Sequence, residues 1–343
     1  MTTTTTVTEA RGPYFDELTV GHVIRDAPGI TLTEGGAAVH QAIVGDRLRL
    51  ALDHDLGHKV TGQLRIAPPA YVWNVAIGQS TLATHHVRAN LFYRGLAFRR
   101  APVIGDTLRT TTEVVGLREN SRRPDRPATG LVGLHIVTRD QLDRPVLDFH
   151  RCAMLPLGDP SVRTGHADDL DALGAAPNAN AASFVDDWDL AAYVLHDPVP
   201  EIGVGTVVEV LGGDVVSSAP ELARLTGNVA QVHHDVRAGG GSRLVYGGHT
   251  IGIALGQVTR ALPQLVTVLA WDGCDHLGPV YEGDTLRSTV EVISLRSRAD
   301  QVHADLRCLD TADSATEPRP VLDWRFTALI GGQRGDVTGS DGS

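Results

Sequence analysis

The chain has 343 residues, 42% of them hydrophobic and 21% charged, with a formal net charge of −11 at pH 7. That length and balance fit about two globular domains whose cores need no disulfide or metal staple. The acidic surplus argues against nucleic acid or an anionic membrane as a partner, and no run reaches the ~18 apolar residues of a membrane-spanning helix.

Cys152, Cys274 and Cys308 show neither disulfide-framework nor zinc spacing, so a reducing, cytoplasmic setting without a metal is expected. Met1 to Glu9 is a threonine-rich polar stretch with no signal-peptide pattern, and it reads as loose, as does Gly331 to Ser343. A first domain is expected over 11–157. In it, Thr33 is placed to cap a helix containing Ala37, Ala38, Ala42 and Ile43, and Ala67 to Ile77 reads as a central helix. Gly105 and Asp106 make a turn into a β-branched strand through Thr107, Thr110, Thr112 and Val114. Further strands are expected at Leu131 to Arg139 and Pro145 to Leu157. A linker rich in Asp, Ala, Gly and Pro follows at 158–182.

The second domain, 183–330, repeats this order. Pro220 suits the start of a helix over Ala219 to Ala230, with Leu222, Leu225 and Val229 at helical spacing. His249 to Ala261 reads as the second central helix, with Ile251, Ala254, Leu255 and Val258 on one stripe. Strands are expected from Thr285 through Ile293, at Gln301 to Cys308 and at Val321 to Ile330. A helix with an antiparallel sheet, twice over, is an α+β pattern.

The two halves are copies. PVIGDTLRTTTEVVGLR at Pro102 to Arg118 matches PVYEGDTLRSTVEVISLR at Pro279 to Arg296 after one inserted residue around Glu282. PVLDF at Pro145 to Phe149 matches PVLDW at Pro320 to Trp324, and Val20 to Ile24 matches Val204 to Val208 more weakly. Preserved order across three segments argues for tandem duplication.

The copies differ where chemistry is plausible. Aligning Val44 to Asp53 with Thr226 to Asp235 pairs Gly45 with Gly227, Asp46 with Asn228 and Ala51 with His233. The second copy alone carries a proton-transfer histidine there, although a lone histidine is more often structural. Gly239, Gly240 and Gly241 follow, then Tyr246, Gly247, Gly248 and His249 at a helix start. Free N–H groups at such a start suit an oxyanion, and a plain flexible loop is the other reading. Trp271 reads as core or pocket wall. Cys274 lacks a base or a tetrahedral ligand set, and no dinucleotide, Walker or nucleophile-elbow motif is present.

YGGH at Tyr246 to His249, AWDG at Ala270 to Gly273 and GDTL at Gly283 to Leu286 occur in order, and ANLFYRGLAFRRAPVIGDTL runs from Ala89 to Leu108. With these motifs the chain resembles the MaoC-like dehydratases and hydratases of double hot-dog fold, and within them the mesaconyl-CoA hydratase (β-methylmalyl-CoA dehydratase) branch. The resemblance covers roughly 11–157 and 184–330. It implies a tandem double hot-dog, each unit a curved antiparallel sheet around a central helix. It also implies reversible hydration of a short, branched or dicarboxylic enoyl-CoA, with CoA entering as part of the substrate, no other cofactor, and a homo-oligomer of dimeric or higher order.

The family's catalytic histidine falls on His233, and its usual aspartate falls on Asn228. The resemblance makes these the catalytic pair, with Gly247, Gly248 and His249 near the thioester oxygen and Tyr246 and Trp271 around the substrate. Arg243 is a candidate anchor for a carboxylate or a CoA phosphate, with a surface role equally open. Three other functions stand beside this one: a fatty or polyketide 3-hydroxyacyl-thioester dehydratase, a thioesterase, and a non-catalytic acyl-CoA binding protein.

Overall fold

The computed structural model describes residues 10–174, 183–196, 199–313 and 317–331. The first copy runs β1 (Val23–Ile24), β2 (Ile30–Thr31), α1 (Glu34–Val44), α2 (Arg49–Leu52), α3 (His54–Thr61), α4 (Pro69–Ser80), β3 (Ala89–Phe98), β4 (Thr107–Glu119), β5 (Thr129–Arg139) and β6 (Pro145–Pro156). The second runs β7 (Val207–Glu209), β8 (Asp214–Val215), α5 (Ala219–Leu225), α6 (Gly247–Ala261), β9 (Leu265–His276), β10 (Thr285–Arg298), β11 (Gln301–Asp313) and β12 (Arg319–Ile330).

Local chemistry starts these elements, and the turns into β4 and β10 are built alike in the two copies. Thr33 accepts a hydrogen bond from the Gly36 N–H at 3.0 Å and so caps α1. The GDTLR turn recurs with Gly105 at φ 106° and Gly283 at φ 93°, a region open to glycine at no steric cost. Asp106 then accepts from the Val103 N–H at 3.0 Å and Asp284 from the Tyr281 N–H at 2.9 Å, and β4 and β10 begin at the next residue.

The strands form one antiparallel sheet of twelve among the described residues, in the order β1-β4-β5-β6-β3-β9-β12-β11-β10-β7, with β2 on β4 and β8 on β10. Each half curls around its own central helix, α4 or α6, and the two helices pack against each other. This is the tandem double hot-dog. All twelve residues of α4 are buried, polar Asn74, Gln79 and Ser80 among them, as in a helix enclosed by a sheet. Gln79 and Gln257 tie the two helices to their sheets in the same way, donating to the carbonyls of Leu108 at 3.0 Å and Leu286 at 2.8 Å.

The seam of the molecule is β3 against β9, with Tyr93 opposite Cys274 and Leu96 opposite Trp271. Neither strand was expected from alternation. β9 is buried along most of its length, so it lacks the in-out pattern of a half-exposed strand. The helix expected over Ala219 to Ala230 stops at Leu225, because Gly227 takes φ 69° and the Asn228 N–H turns back to the Ala223 carbonyl at 2.9 Å. The segment α2–α3 was not foreseen either. Asp53 caps α3 by accepting from the Leu56 N–H at 3.0 Å, and Leu50 and Val60 join a small core with Trp188, Tyr193 and Leu269.

The first part of the expected linker packs on the first copy: Leu170 is buried, and Asp168 accepts from the Leu117 N–H at 2.8 Å. Residues 175–182 of that linker lie outside the described residues, as do 1–9 and 332–343 of the two ends. Gly331 itself is held, its N–H bonded to the Gln264 carbonyl at 2.9 Å. The three cysteines are buried and unbridged. Among the described residues no helix is long and apolar enough to cross a membrane, and there is no cluster of three or more metal-ligating side chains.

Candidate active site

The segment from Gly227 to His234 is short and anchored at many points. Its N–H groups at Val229 and Gln231 are held by the first copy, by Thr81 Oγ1 at 2.9 Å and the His85 carbonyl at 3.0 Å. Asn228 Oδ1 accepts from the Ala230 N–H at 3.0 Å, and His234 Nε2 donates to the Asn228 carbonyl at 2.7 Å. Asp46 repeats this geometry in the first copy, accepting from the Leu48 N–H at 2.9 Å after Gly45 at φ 72°. The pairing of Asp46 with Asn228 is therefore structural as well as sequential.

With its oxygen engaged, Asn228 presents Nδ2, which is buried and has no hydrogen-bond partner. The residue lines the adjoining cavity and has an unused donor. It has no basic function there at ordinary pH.

His233 ends a 3-10 turn over Gln231–His233 and is 9% exposed. Its Nδ1 lies 2.7 Å from the Leu244 carbonyl oxygen. A carbonyl only accepts, so Nδ1 carries the hydrogen and Nε2 carries the lone pair. Burial pulls the His233 pKa down to about 4. The Leu244 hydrogen bond opposes this shift, and the positive charge of Arg151 adds to it. A neutral imidazole with a fixed tautomer is the form in which a general base works.

Both residues line a cavity of about 540 Å³, a size typical of small-molecule sites. Its walls come from both copies. The first supplies Ile77, Thr81, Asn90, Tyr93 and Arg151, and the second supplies Asn228, His233, Tyr246, Gly247, Thr250 and His276. Gly247 and Gly248 begin α6, where the N–H groups have no acceptor within the helix. A Cβ at Gly247 would overlap the His276 imidazole and one at Gly248 would overlap Asn74, so the approach requires glycine at both places. A second cavity of about 490 Å³ adjoins the first, shares Arg88, Val232 and Ala238 with it, and adds Arg11, Tyr14 and His86.

No family model matches the chain. A conserved hypothetical protein from Mycobacterium tuberculosis, essential for bacterial survival during infection and possessing a double hot-dog fold, is 55% identical, with 93% of this chain and 98% of that chain covered and a TM-score of 0.87. A protein of Chloroflexus aurantiacus named for its MaoC domain is 25% identical, with 96% and 100% covered and a TM-score of 0.82. The β-methylmalyl-CoA dehydratase of the same organism is 27% identical over 330 residues, 92% of this chain and 91% of that one.

The chain belongs to the MaoC-like double hot-dog family of dehydratases and hydratases.

In this MaoC-like protein the structure brings Asn228, His233, Tyr246 and Gly247 together and leaves others apart. Arg243 pairs with Glu282 at 3.0 Å near the surface and is not among the cavity-lining residues. Glu282 also accepts from the Ala219 N–H at 3.0 Å, so the one residue inserted between the repeats pins this loop to the start of α5. Trp271 is core: it packs edge-on against Trp73 at 4.9 Å and Trp324 at 5.6 Å, outside the cavity lining. His249 is fully buried and does not line the cavity, and burial takes its pKa to about 4. Sequence reasoning missed Arg151, Asn90, Tyr93 and His276. The only available signal was the repeat itself, because Arg151 aligns with Phe326 two residues past the matched PVLDF and PVLDW segments.

A pH dependence follows. His233 is the base only when neutral, so turnover per folded molecule should stay flat from pH 8 to about 5 and fall as pH drops through about 4. A fall centred near 6.5 would show that the imidazole is not buried as described. Circular dichroism at each pH is needed alongside. Buried His40, His233 and His249 and half-buried His276 have pKa values of about 3 to 4, so they remain neutral in the fold while the unfolded chain protonates near 6.5. Their contribution to stability is complete above about 6.5 and declines as pH falls toward 4.

Proposed function

We propose that this protein reversibly hydrates a short enoyl-CoA, branched or dicarboxylic like the substrate of its β-methylmalyl-CoA dehydratase relative. The observation that supports this most directly is the neutral His233 imidazole and the unpaired Asn228 amide sharing one cavity with the N-terminus of α6.

In hydration, the water oxygen accepts a hydrogen bond from Asn228 Nδ2 and gives a proton to His233 Nε2. The oxygen bonds to the β-carbon, and the displaced π electrons move to the thioester oxygen. The N–H group at Gly247 stabilises that enolate, helped by the positive end of the helix. His233 then returns its proton to the α-carbon. One molecule of water has been added and the imidazole is neutral again. Dehydration runs the same steps backward, with the Asn228 amide supporting the departing oxygen. The adjoining cavity, with Arg88 on its wall, suits the phosphates of the CoA moiety.

Loss of enoyl-thioester absorbance on adding protein to mesaconyl-CoA and crotonyl-CoA tests this. Release of free CoA thiol would instead identify a thioesterase. Tight binding without turnover would support the acyl-CoA binding reading, which the asparagine in place of an aspartate favours.

Asn228→Asp provides a separate test. Asp46 occupies the equivalent place, and burial pushes its pKa up to about 6. An aspartate at 228 is expected to behave likewise, so the variant's pH–rate profile should gain an inflection near 6 that the native protein lacks. An unchanged profile would mean that this position does not take part in the reaction.

A further inference from the structure

Arg151 is the feature of the cavity that the proposed chemistry leaves unused. It is 3% exposed and lies on β6, beside Tyr93 of β3. Its Nε donates to Asn90 Oδ1 at 2.6 Å and its Nη1 to Ser80 Oγ at 3.1 Å. Both partners are neutral. Among the described residues no aspartate or glutamate pairs with it, and its other N–H groups make no hydrogen bond. A guanidinium stays charged in proteins, and burying a charge without a counter-charge is costly.

The fold does not require this charge. Tyr93 faces Arg151 across β3 and β6, and Trp271 faces Phe326 across β9 and β12. These are the same two positions in the two repeats. Where the second copy has Phe326 stacked on Trp324 at 3.8 Å, the first has a buried arginine lining the cavity. An apolar side chain therefore suits the architecture, and the arginine answers to something that enters the cavity.

We infer that Arg151 binds a carboxylate at the far end of the acyl group, so that the preferred substrate is the monothioester of a short dicarboxylic acid. The cavity opens toward exposed Gly240 and Pro279, while Arg151 and Ser80 are buried, which sets the guanidinium at the inner end. A thioester lying along α6 with its reacting carbons at His233 directs its distal carbons there. The guanidinium, already oriented by Asn90 and Ser80, has a planar fork left to meet a carboxylate in two parallel hydrogen bonds. This deepens the proposed hydratase reading, which supplies the orientation of the thioester.

The test compares kcat/KM for mesaconyl-CoA, which is anionic at its acyl end, with that for crotonyl-CoA, which is neutral there. The native protein should prefer mesaconyl-CoA, and in Arg151→Met that preference should fall about 100-fold, the scale expected when one partner of a buried charge pair is removed. Arg151→Lys, which keeps a charge without the fork, should fall between them. It also serves if the methionine variant fails to fold. An unchanged ratio, with both substrates slowed equally or not at all, would overturn the inference. Calorimetric binding of succinyl-CoA and butyryl-CoA separates it from the catalytic proposal. A preference for succinyl-CoA that Arg151→Met abolishes supports the carboxylate site even if no hydration is seen. Equal binding of the two overturns it even if hydration is confirmed.

Discussion

Replacing His233 by alanine is expected to lower hydration of the best enoyl-CoA substrate by about 10²–10⁴-fold, the usual contribution of a positioned general base. The argument rests on one hydrogen bond. Nδ1 is fixed as a donor to the Leu244 carbonyl, so the lone pair on Nε2 is available to the cavity. His233→Gln is the companion variant, because its amide can still donate to Leu244 but brings no base. Both variants should lose kcat with little change in KM, since the proton transfer belongs to the transition state. Rates within a few-fold of native for both would remove His233 from the mechanism. A loss confined to alanine would make its role one of packing.

The second large effect is expected at Gly78, a residue on the other copy that touches no substrate. A Cβ there would overlap the Thr226 carbonyl oxygen and come within 3.2 Å of the Asn228 nitrogen. Gly78→Ala forces either α4 or the Asn228 segment to move, at a cost of about 1–3 kcal/mol. Gly256 is its counterpart on α6, where a Cβ would lie 2.7 Å from the Val44 carbonyl oxygen and 3.0 Å from that of Gly45. Chemical denaturation should show both alanine variants destabilised to a similar extent. Activity per folded molecule should drop at least tenfold in Gly78→Ala alone, because small misplacements of reacting groups are costly to rate. Equal activity losses in the two would mean that the Asn228 segment does not report the position of α4.

Much of this architecture was readable because it is written twice. The GDTLR and PVLD segments became the same turns and strands in both halves, and the mismatch of Ala51 with His233 pointed to the half that carries the imidazole. The seam strands were harder, since β9 is buried along most of its length and shows no alternation to detect. The stop of α5 at Leu225 depended on a left-handed glycine whose neighbours still carried helical spacing. Arg151 escaped notice for a different reason. It stands alone in a strand, and what singles it out is its contact with two residues distant in the chain, Ser80 and Asn90, and the lack of an acidic partner among the described residues. Arg243 drew attention by lying near the glycine-rich loop, but Glu282 already neutralises it.

The β3–β9 seam has an evolutionary consequence. Two identical hot-dog chains meeting across such a seam would hold two equal clefts, and every substitution would strike both. Once the halves are covalently joined, each can drift under its own selection. One cleft then keeps an arginine from the first half and a histidine from the second. The positions that would have built its twin hold Phe326 and Ala51, and the first of these is buried in a cluster with Trp73, Trp271 and Trp324. Severing the chain at the linker should therefore yield two halves with bare strand edges and no working site.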